Sequence, residues 1–62
     1  MNCREELREY LLVERMKTWL SRARYGQSYE RQRSRKNYLS LIRTNRAVAD
    51  RHGFREKNLF CI

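Results

Sequence analysis

Apolar side chains in the first third of the chain recur at the spacing of one helix face. They fall at relative positions i, i+1, i+4, i+7, i+8 and i+11: Leu12, Val13, Met16, Trp19, Leu20 and Ala23. At about 100° per residue these positions share one arc of roughly 120°, as in an amphipathic helix. Asn2 is a candidate N-cap, with Glu5 three residues later in capping-box spacing. Gly26 offers a left-handed stop after the basic residues of the last turn.

A second apolar stripe begins late in the middle of the chain. Ser28 suits the cap of a second helix, yet the apolar positions of that helix start ten residues later: Tyr38, Leu41, Ile42, Val48 and Ala49. Before Tyr38 the basic residues point to every side of the helix axis. This part is therefore predicted to bury no face, and to project into solvent or lie on a partner.

Two polar residues fall inside the second stripe. Asn45 is open to two interpretations. It is either an exposed edge or a satisfied amide in the core, or it is a polar residue that fixes the register of a self-associating interface. His52 fits the C-terminal end of a helix, where a positive charge is favourable, better than it fits a ligand or a base.

The two stripes together predict helices near residues 3–24 and 28–52, broken at Gly26. We expect an all-α fold, an antiparallel two-helix hairpin with a short C-terminal helical or extended tail, in a single small helical domain over residues 1–62. The predicted core has nine members: Leu12, Met16, Trp19, Leu20, Tyr38, Leu41, Ile42, Val48 and Ala49. So short a chain buries little surface, so a homodimer through the apolar tail at residues 58–62 is expected.

The formal charge of +8 is concentrated in one segment. Residues 1–21 hold four bases and four acids, and residues 47–62 hold three bases and two acids. Residues 22–46 hold eight bases against Glu30 alone. Concentrated basic charge indicates a phosphate-binding surface, because each neutralised phosphate releases counterions. The alternative is a solvated charge run that keeps a small protein soluble.

Twelve of the fifteen bases are arginine, whose planar fork binds phosphate or guanine edges in a bidentate manner. Tyr25 and Tyr29 lie among the bases, and aromatic rings beside arginine suit stacking on unpaired bases. Alternatively, these tyrosines pack at the hairpin turn and cover the edge of the core. The candidate nucleic-acid-binding residues are Arg24, Arg31, Arg33, Arg35, Lys36, Arg43, Arg46, Arg55 and Lys57.

The C-terminal stretch NRAVADRHGFREKNLFCI, residues 45–62, carries a spacing of small and apolar residues typical of a helix-turn-helix. Ala49 stands at the small-residue position and Gly53 at the turn four residues later. The apolar positions that would hold the two helices together are Val48, Phe54, Leu59 and Ile62. The stretch resembles the helix-turn-helix of AraC-type regulators, although His52 stands where an apolar residue is usual. The resemblance implies DNA binding and transcription regulation, with Arg55 and Lys57 entering the groove.

The same residues also fit a simple helix stop. Gly53 would be C′ and Phe54 C″ of a Schellman motif, with Phe54 packing on Ala49. In this interpretation the apolar tail folds back on the hairpin or forms part of a dimer contact.

Other chemistries are not predicted. Cys3, Cys61 and His52 show no metal-ligand spacing, so neither a metal nor a cofactor is expected. No apolar run resembles a signal peptide or a membrane span, which favours free thiols and a cytoplasmic location, or the host cytoplasm for a phage-encoded protein. A Cys3–Cys61 bridge is the alternative. A lone histidine without converging acids predicts that the protein is not an enzyme.

Two functions follow from these patterns. The first is a small basic helical regulatory protein that binds nucleic acid through an Arg-rich helix surface, as a phage or plasmid accessory protein would. The second is a protein–protein interaction module that modulates a larger partner without binding nucleic acid. Its basic helix would dock on an acidic surface, and its apolar tail or the Leu7/Leu11 edge would carry the binding energy.

Overall fold

A computed structural model describes residues 3–60 of the chain. It contains three α-helices, α1 (Cys3–Tyr25), α2 (Ser28–Thr44) and α3 (Arg46–Arg51), and a 3₁₀ helix (Glu56–Leu59). No strand occurs within residues 3–60, and α1 packs along α2 as a hairpin, so the all-α prediction is confirmed. The predicted cap Asn2 lies outside the described residues.

The turn between α1 and α2 consists of Gly26 and Gln27. Gly26 does not have the left-handed backbone predicted for it. Its N–H donates to the Arg22 carbonyl oxygen at 2.9 Å, and a Cβ at this position would lie 2.5 Å from that same oxygen. Glycine is therefore required by a close backbone approach. The predicted cap Ser28 is the first residue of α2, and the extended Gln27 is its N-cap.

The prediction of one helix over residues 28–52 is wrong, because Asn45 interrupts it. The Asn45 side-chain amide and backbone N–H both donate to the Leu41 carbonyl oxygen, each at 3.0 Å. The backbone there departs from the helix (φ −123°, ψ 51°), and α3 starts with a bond from the Ala49 N–H to the Asn45 carbonyl. Asparagine side chains compete with the backbone for helical hydrogen bonds in this way. The interpretation of Asn45 as a satisfied amide is confirmed.

The end of α3 has the geometry of a Schellman motif. Gly53 has a left-handed φ of 74°. Its N–H donates to the Asp50 carbonyl at 3.3 Å, and the Phe54 N–H donates to the Ala49 carbonyl at 2.8 Å. Phe54 and Ala49 are both buried in the core, so the helix stop predicted here is confirmed.

The core joins the three α-helices and the 3₁₀ helix. Its buried apolar residues are Val13, Met16, Ala23, Tyr38, Ile42, Ala49, Phe54 and Leu59. Four of the nine predicted core residues are in this group, and the other five are half-buried and pack against it: Leu12, Trp19, Leu20, Leu41 and Val48. Phe54 and Leu59 come from the C-terminal tail, here residues 54–60, which folds back on the hairpin.

Tyr38 connects the tail to the hairpin. Its side chain is fully buried, its ring meets the Phe54 ring edge-on at a centroid distance of 6.5 Å, and its hydroxyl donates to the Arg55 carbonyl oxygen at 2.9 Å. Burial raises the pKa of the Tyr38 phenol above its usual value, and a hydrogen bond with the Asn58 side chain partly opposes the shift. The hydroxyl therefore stays protonated at neutral pH and can serve as the donor.

The prediction that α2 buries no face before Tyr38 is wrong at one position. Ser34 lies one turn before Tyr38 on the same helix face and is fully buried. A side chain this small lets the two helices approach closely, while the longer basic side chains around it extend to solvent. The Arg-rich part of α2 is thereby fixed to the hairpin.

Replacement of Ser34 by alanine is expected to leave the free energy of unfolding unchanged or to raise it by up to about 1 kcal/mol, because the Ser34 hydroxyl has no hydrogen-bond partner within residues 3–60. Ser34→Leu should instead lower it by about 1–3 kcal/mol, since the larger side chain overfills the contact. Urea unfolding followed by circular dichroism measures both. A loss of stability in the alanine variant comparable to that in the leucine variant would contradict this view of the site.

Candidate nucleic-acid interface

The charges of α2 are separated by sign around the helix axis. Arg33, Lys36 and Arg43 lie about 140–160° around the axis from the buried Tyr38. With the exposed Tyr29 these three residues form the outer face of α2. Glu30 lies on the edge next to α1, where its carboxylate is 3.8 Å from the Arg22 Nε. The outer face therefore carries three basic residues and one aromatic ring, and no acidic residue.

Most of the predicted binding residues have no acidic partner among residues 3–60. Arg43 is the exception, because its guanidinium lies 3.6 Å from the Glu56 carboxylate. Both side chains of that pair are mostly exposed, and such pairs contribute at most about 1 kcal/mol, so Arg43 can exchange this partner for a phosphate. Within residues 3–60 no carboxylate approaches the other eight closer than 4.0 Å: Arg24, Arg31, Arg33, Arg35, Lys36, Arg46, Arg55 and Lys57.

A second basic group lies beside the hairpin turn. Here the end of α1, the start of α2 and the 3₁₀ helix enclose a hollow of ≈ 110 Å³, which we call the arginine hollow. Its lining residues are Ala23, Arg24, Tyr25, Arg31, Arg35 and Leu59. Sequence reasoning included the three arginines without bringing them together. The four-residue spacing of Arg31 and Arg35 is the only signal of this group in the sequence.

A third group lies at the other end of α2. Arg43, Arg46 and Arg55 line a depression of ≈ 340 Å³ together with Asp50 and Glu56. The two acids offset much of the positive charge, so this depression is a weaker anion site than the outer face. The remaining predicted base, Lys57, is exposed on the 3₁₀ helix and lines none of these surfaces.

The two tyrosines predicted to stack on bases are turned to solvent. Tyr25 is 76% exposed and Tyr29 is 74% exposed, so neither covers the core edge. The Arg24 guanidinium lies over one face of the Tyr25 ring at 5.4 Å from its centroid. Both rings are accessible to an unpaired base.

The segment that resembles a recognition helix is short. After Gly53 the chain is extended at Arg55 (φ −128°, ψ 158°) and then forms the four-residue 3₁₀ helix. Arg55 and Lys57 are exposed, while Phe54 and Leu59 hold the segment on the hairpin. Ile62 lies outside the described residues. The AraC-like resemblance stays a prediction.

Within residues 3–60, no three histidine, cysteine, aspartate or glutamate side chains form a group that could hold a metal ion. His52 lies 3.9 Å from the Glu9 carboxylate, which also pairs with Arg51. Cys3 is exposed, and Cys61, the other half of the bridge considered above, is outside the described residues.

No helix in residues 3–60 has the length and apolarity needed to span a membrane. We compared the chain with protein-family models, with characterised proteins and with solved structures, and none of them matches it.

Proposed function

We propose that this protein is a small regulatory or accessory protein that binds nucleic acid through the outer face of α2. The observation that carries the proposal is the separation of charge on α2. Glu30 lies at the α1 edge beside Arg22, and Arg33 and Lys36 lie in solvent without a competing carboxylate within residues 3–60. A surface of this kind neutralises phosphates and gains free energy from the counterions that it releases.

The dimensions of α2 suit contact with a nucleic-acid backbone. Arg33 and Arg43 are separated by about 15 Å along the helix axis. Duplex DNA carries about nine phosphate charges over that distance, at one charge per 1.7 Å. The buried Ser34 and Tyr38 fix the helix to the hairpin, so the three bases act from a rigid support. Less conformational entropy is then lost on binding.

Tyr29 favours a strand with unpaired bases. Its exposed ring lies one turn before Arg33 on the same outer face. An aromatic ring beside a phosphate-binding arginine can stack on any unpaired nucleobase. This stacking adds affinity for a single strand that is not gained with a duplex. We therefore expect single strands to bind more tightly than duplexes of equal length.

Salt titration of binding is the direct test. Fluorescence polarisation with labelled single-stranded and duplex oligonucleotides of mixed sequence should show binding at about 50 mM salt that weakens steadily at higher salt. Three contacts, from Arg33, Lys36 and Arg43, predict a log–log slope of about −2.7 on duplex DNA and about −2.1 on a single strand. If neither the single strand nor the duplex binds at about 50 mM salt, the proposal is wrong.

A protein partner is the second candidate function. Leu7, Tyr10 and Leu11 are each more than half exposed, and their spacing places them on one side of α1, away from the core. The tail contributes less to such a surface than the sequence indicated, because Leu59 is buried in the core. A partner that is retained from lysate after nuclease treatment, and lost on Leu7→Ser and Leu11→Ser, would favour this function over nucleic-acid binding.

A further inference from the structure

The arginine hollow is built from three separate parts of the chain. Ala23 closes it from α1 and Leu59 from the 3₁₀ helix, and both are buried. Arg24, Arg31 and Arg35 line the hollow together with these two residues and Tyr25. The tail must fold back for the hollow to exist, so the hollow belongs to the folded protein and not to the Arg-rich helix alone.

The positive charge of the hollow is not compensated by any acid in the described part of the chain. No acid lines it, and no carboxylate within residues 3–60 comes within 4.0 Å of its three guanidinium groups. Arg24 lies at the negative end of the α1 dipole, which favours its charge. The positive end of α2 lies next to Arg31 and adds to the repulsion there. Three like charges around one small space are best relieved by an anion.

Two of the three arginines are oriented by aromatic rings. The Arg24 guanidinium lies 5.4 Å from the Tyr25 centroid, and the Arg35 guanidinium lies 5.7 Å from the Phe60 centroid. A cation–π contact holds a guanidinium in place without neutralising its charge or using its N–H donors. Arg22 differs, because it lies over Trp19 and also pairs with Glu30. Arg24 and Arg35 are thus positioned while their N–H donors stay free to bind a ligand.

We propose that the arginine hollow binds the phosphomonoester group of a nucleotide, and that the exposed face of Tyr25 stacks on the attached base. A terminal phosphate has three acceptor oxygens and close to two negative charges, which suits several guanidinium forks. The hollow has room for a group of this size, given that one water occupies about 30 Å³ in the liquid and the hollow measures ≈ 110 Å³. Its residues are distinct from those of the outer face.

Calorimetric titration with three probes tests the proposal. Adenosine monophosphate should bind, inorganic phosphate should bind more weakly because it cannot stack, and adenosine should bind at least about tenfold more weakly than the monophosphate because it lacks the charged group. A free nucleotide and the end of a strand offer the same chemistry. If a 5′-phosphorylated oligonucleotide binds more strongly than the same oligonucleotide with a 5′-hydroxyl, the ligand can be the end of a strand. Equal binding of the two would mean that the ligand is a free nucleotide.

Variants with equal loss of charge locate the site. Changing Arg24, Arg31 and Arg35 to glutamine should weaken monophosphate binding at least about tenfold. Changing Arg8, Arg15 and Lys17 to glutamine removes the same charge from exposed positions of α1 and should alter it less than about twofold. Equal weakening by the two triple variants would overturn the proposal, because the effect would then come from net charge.

Chemical-shift mapping on the unaltered protein keeps the test independent of folding in the variants. Saturating adenosine monophosphate should shift the amide signals around Ala23 and Leu59, and signals at the N-terminal end of α1 should stay in place.

Changing Arg33, Lys36 and Arg43 to glutamine should leave monophosphate binding intact. In the unaltered protein, monophosphate binding without any binding to single strands or duplexes would overturn only the proposed function of the outer face. Nucleic-acid binding without monophosphate binding would overturn only the nucleotide site.

Discussion

Replacement of Tyr38 by alanine is expected to remove a large part of the free energy of unfolding. Truncating a buried aromatic side chain costs about 3–5 kcal/mol. A chain of this length has a total stability of about 3–9 kcal/mol. The change also removes the edge-on contact with Phe54 and the hydrogen bond to the Arg55 carbonyl, which together hold the tail. Far-ultraviolet circular dichroism in a urea titration measures the fraction folded.

Tyr38→Phe is the matched control for this change. It keeps the ring and its contact with Phe54 and removes only the hydroxyl, so a loss of about 1 kcal/mol is expected. The pair of variants separates the packing of the ring from the hydrogen bond. If the alanine variant unfolded at the same urea concentration as the parent, Tyr38 could not be the residue that joins the tail to the hairpin.

The second large effect is expected on duplex binding when the basic residues of the outer face are replaced. Changing Arg33, Lys36 and Arg43 to glutamine should weaken duplex binding about 10- to 100-fold at low salt, at about 0.5–1 kcal/mol for each exposed contact. The log–log salt slope should rise from about −2.7 towards zero, because three phosphate contacts are lost. Folding should change by no more than about 0.5 kcal/mol, since all three side chains are exposed.

The control for the outer face is the α1 variant with Arg8, Arg15 and Lys17 changed to glutamine. The two variants lose the same charge, and each loses one exposed ion pair, Arg43–Glu56 in the first and Lys17–Glu14 in the second. Only the outer-face variant should lose duplex affinity and salt slope. Matching losses in both would mean that binding depends on net charge and has no defined surface.

The helices could be predicted from the sequence where apolar residues recur with helical period. The stripe around Met16 and the later stripe around Tyr38 fixed the two long helices and the centre of the core. The break at Asn45 could not be predicted in this way, because it depends on a local contest between a side-chain amide and the backbone. Ser34 was missed because a polar residue among bases carries no apolar signal, even where it is buried.

The candidate surfaces were predictable in composition but not in arrangement. The charge count located the basic segment, and its single acid, Glu30, was visible in the sequence. The hollow could not be predicted, because it depends on where the tail places Leu59 and Phe60 against the hairpin. Isolated apolar residues in a short tail have no period from which their partners can be inferred.

The return of the tail to the hairpin also sets when the protein can fold during its own synthesis. Translation adds about 5–20 residues per second, so Tyr38 precedes Leu59 by about 1–4 s. Until Leu59 is made the core around Tyr38 is incomplete, and for most of that interval Phe54 is missing as well. Helical proteins with mostly local contacts fold in microseconds to milliseconds once complete. The native state therefore forms only after Leu59 has been made.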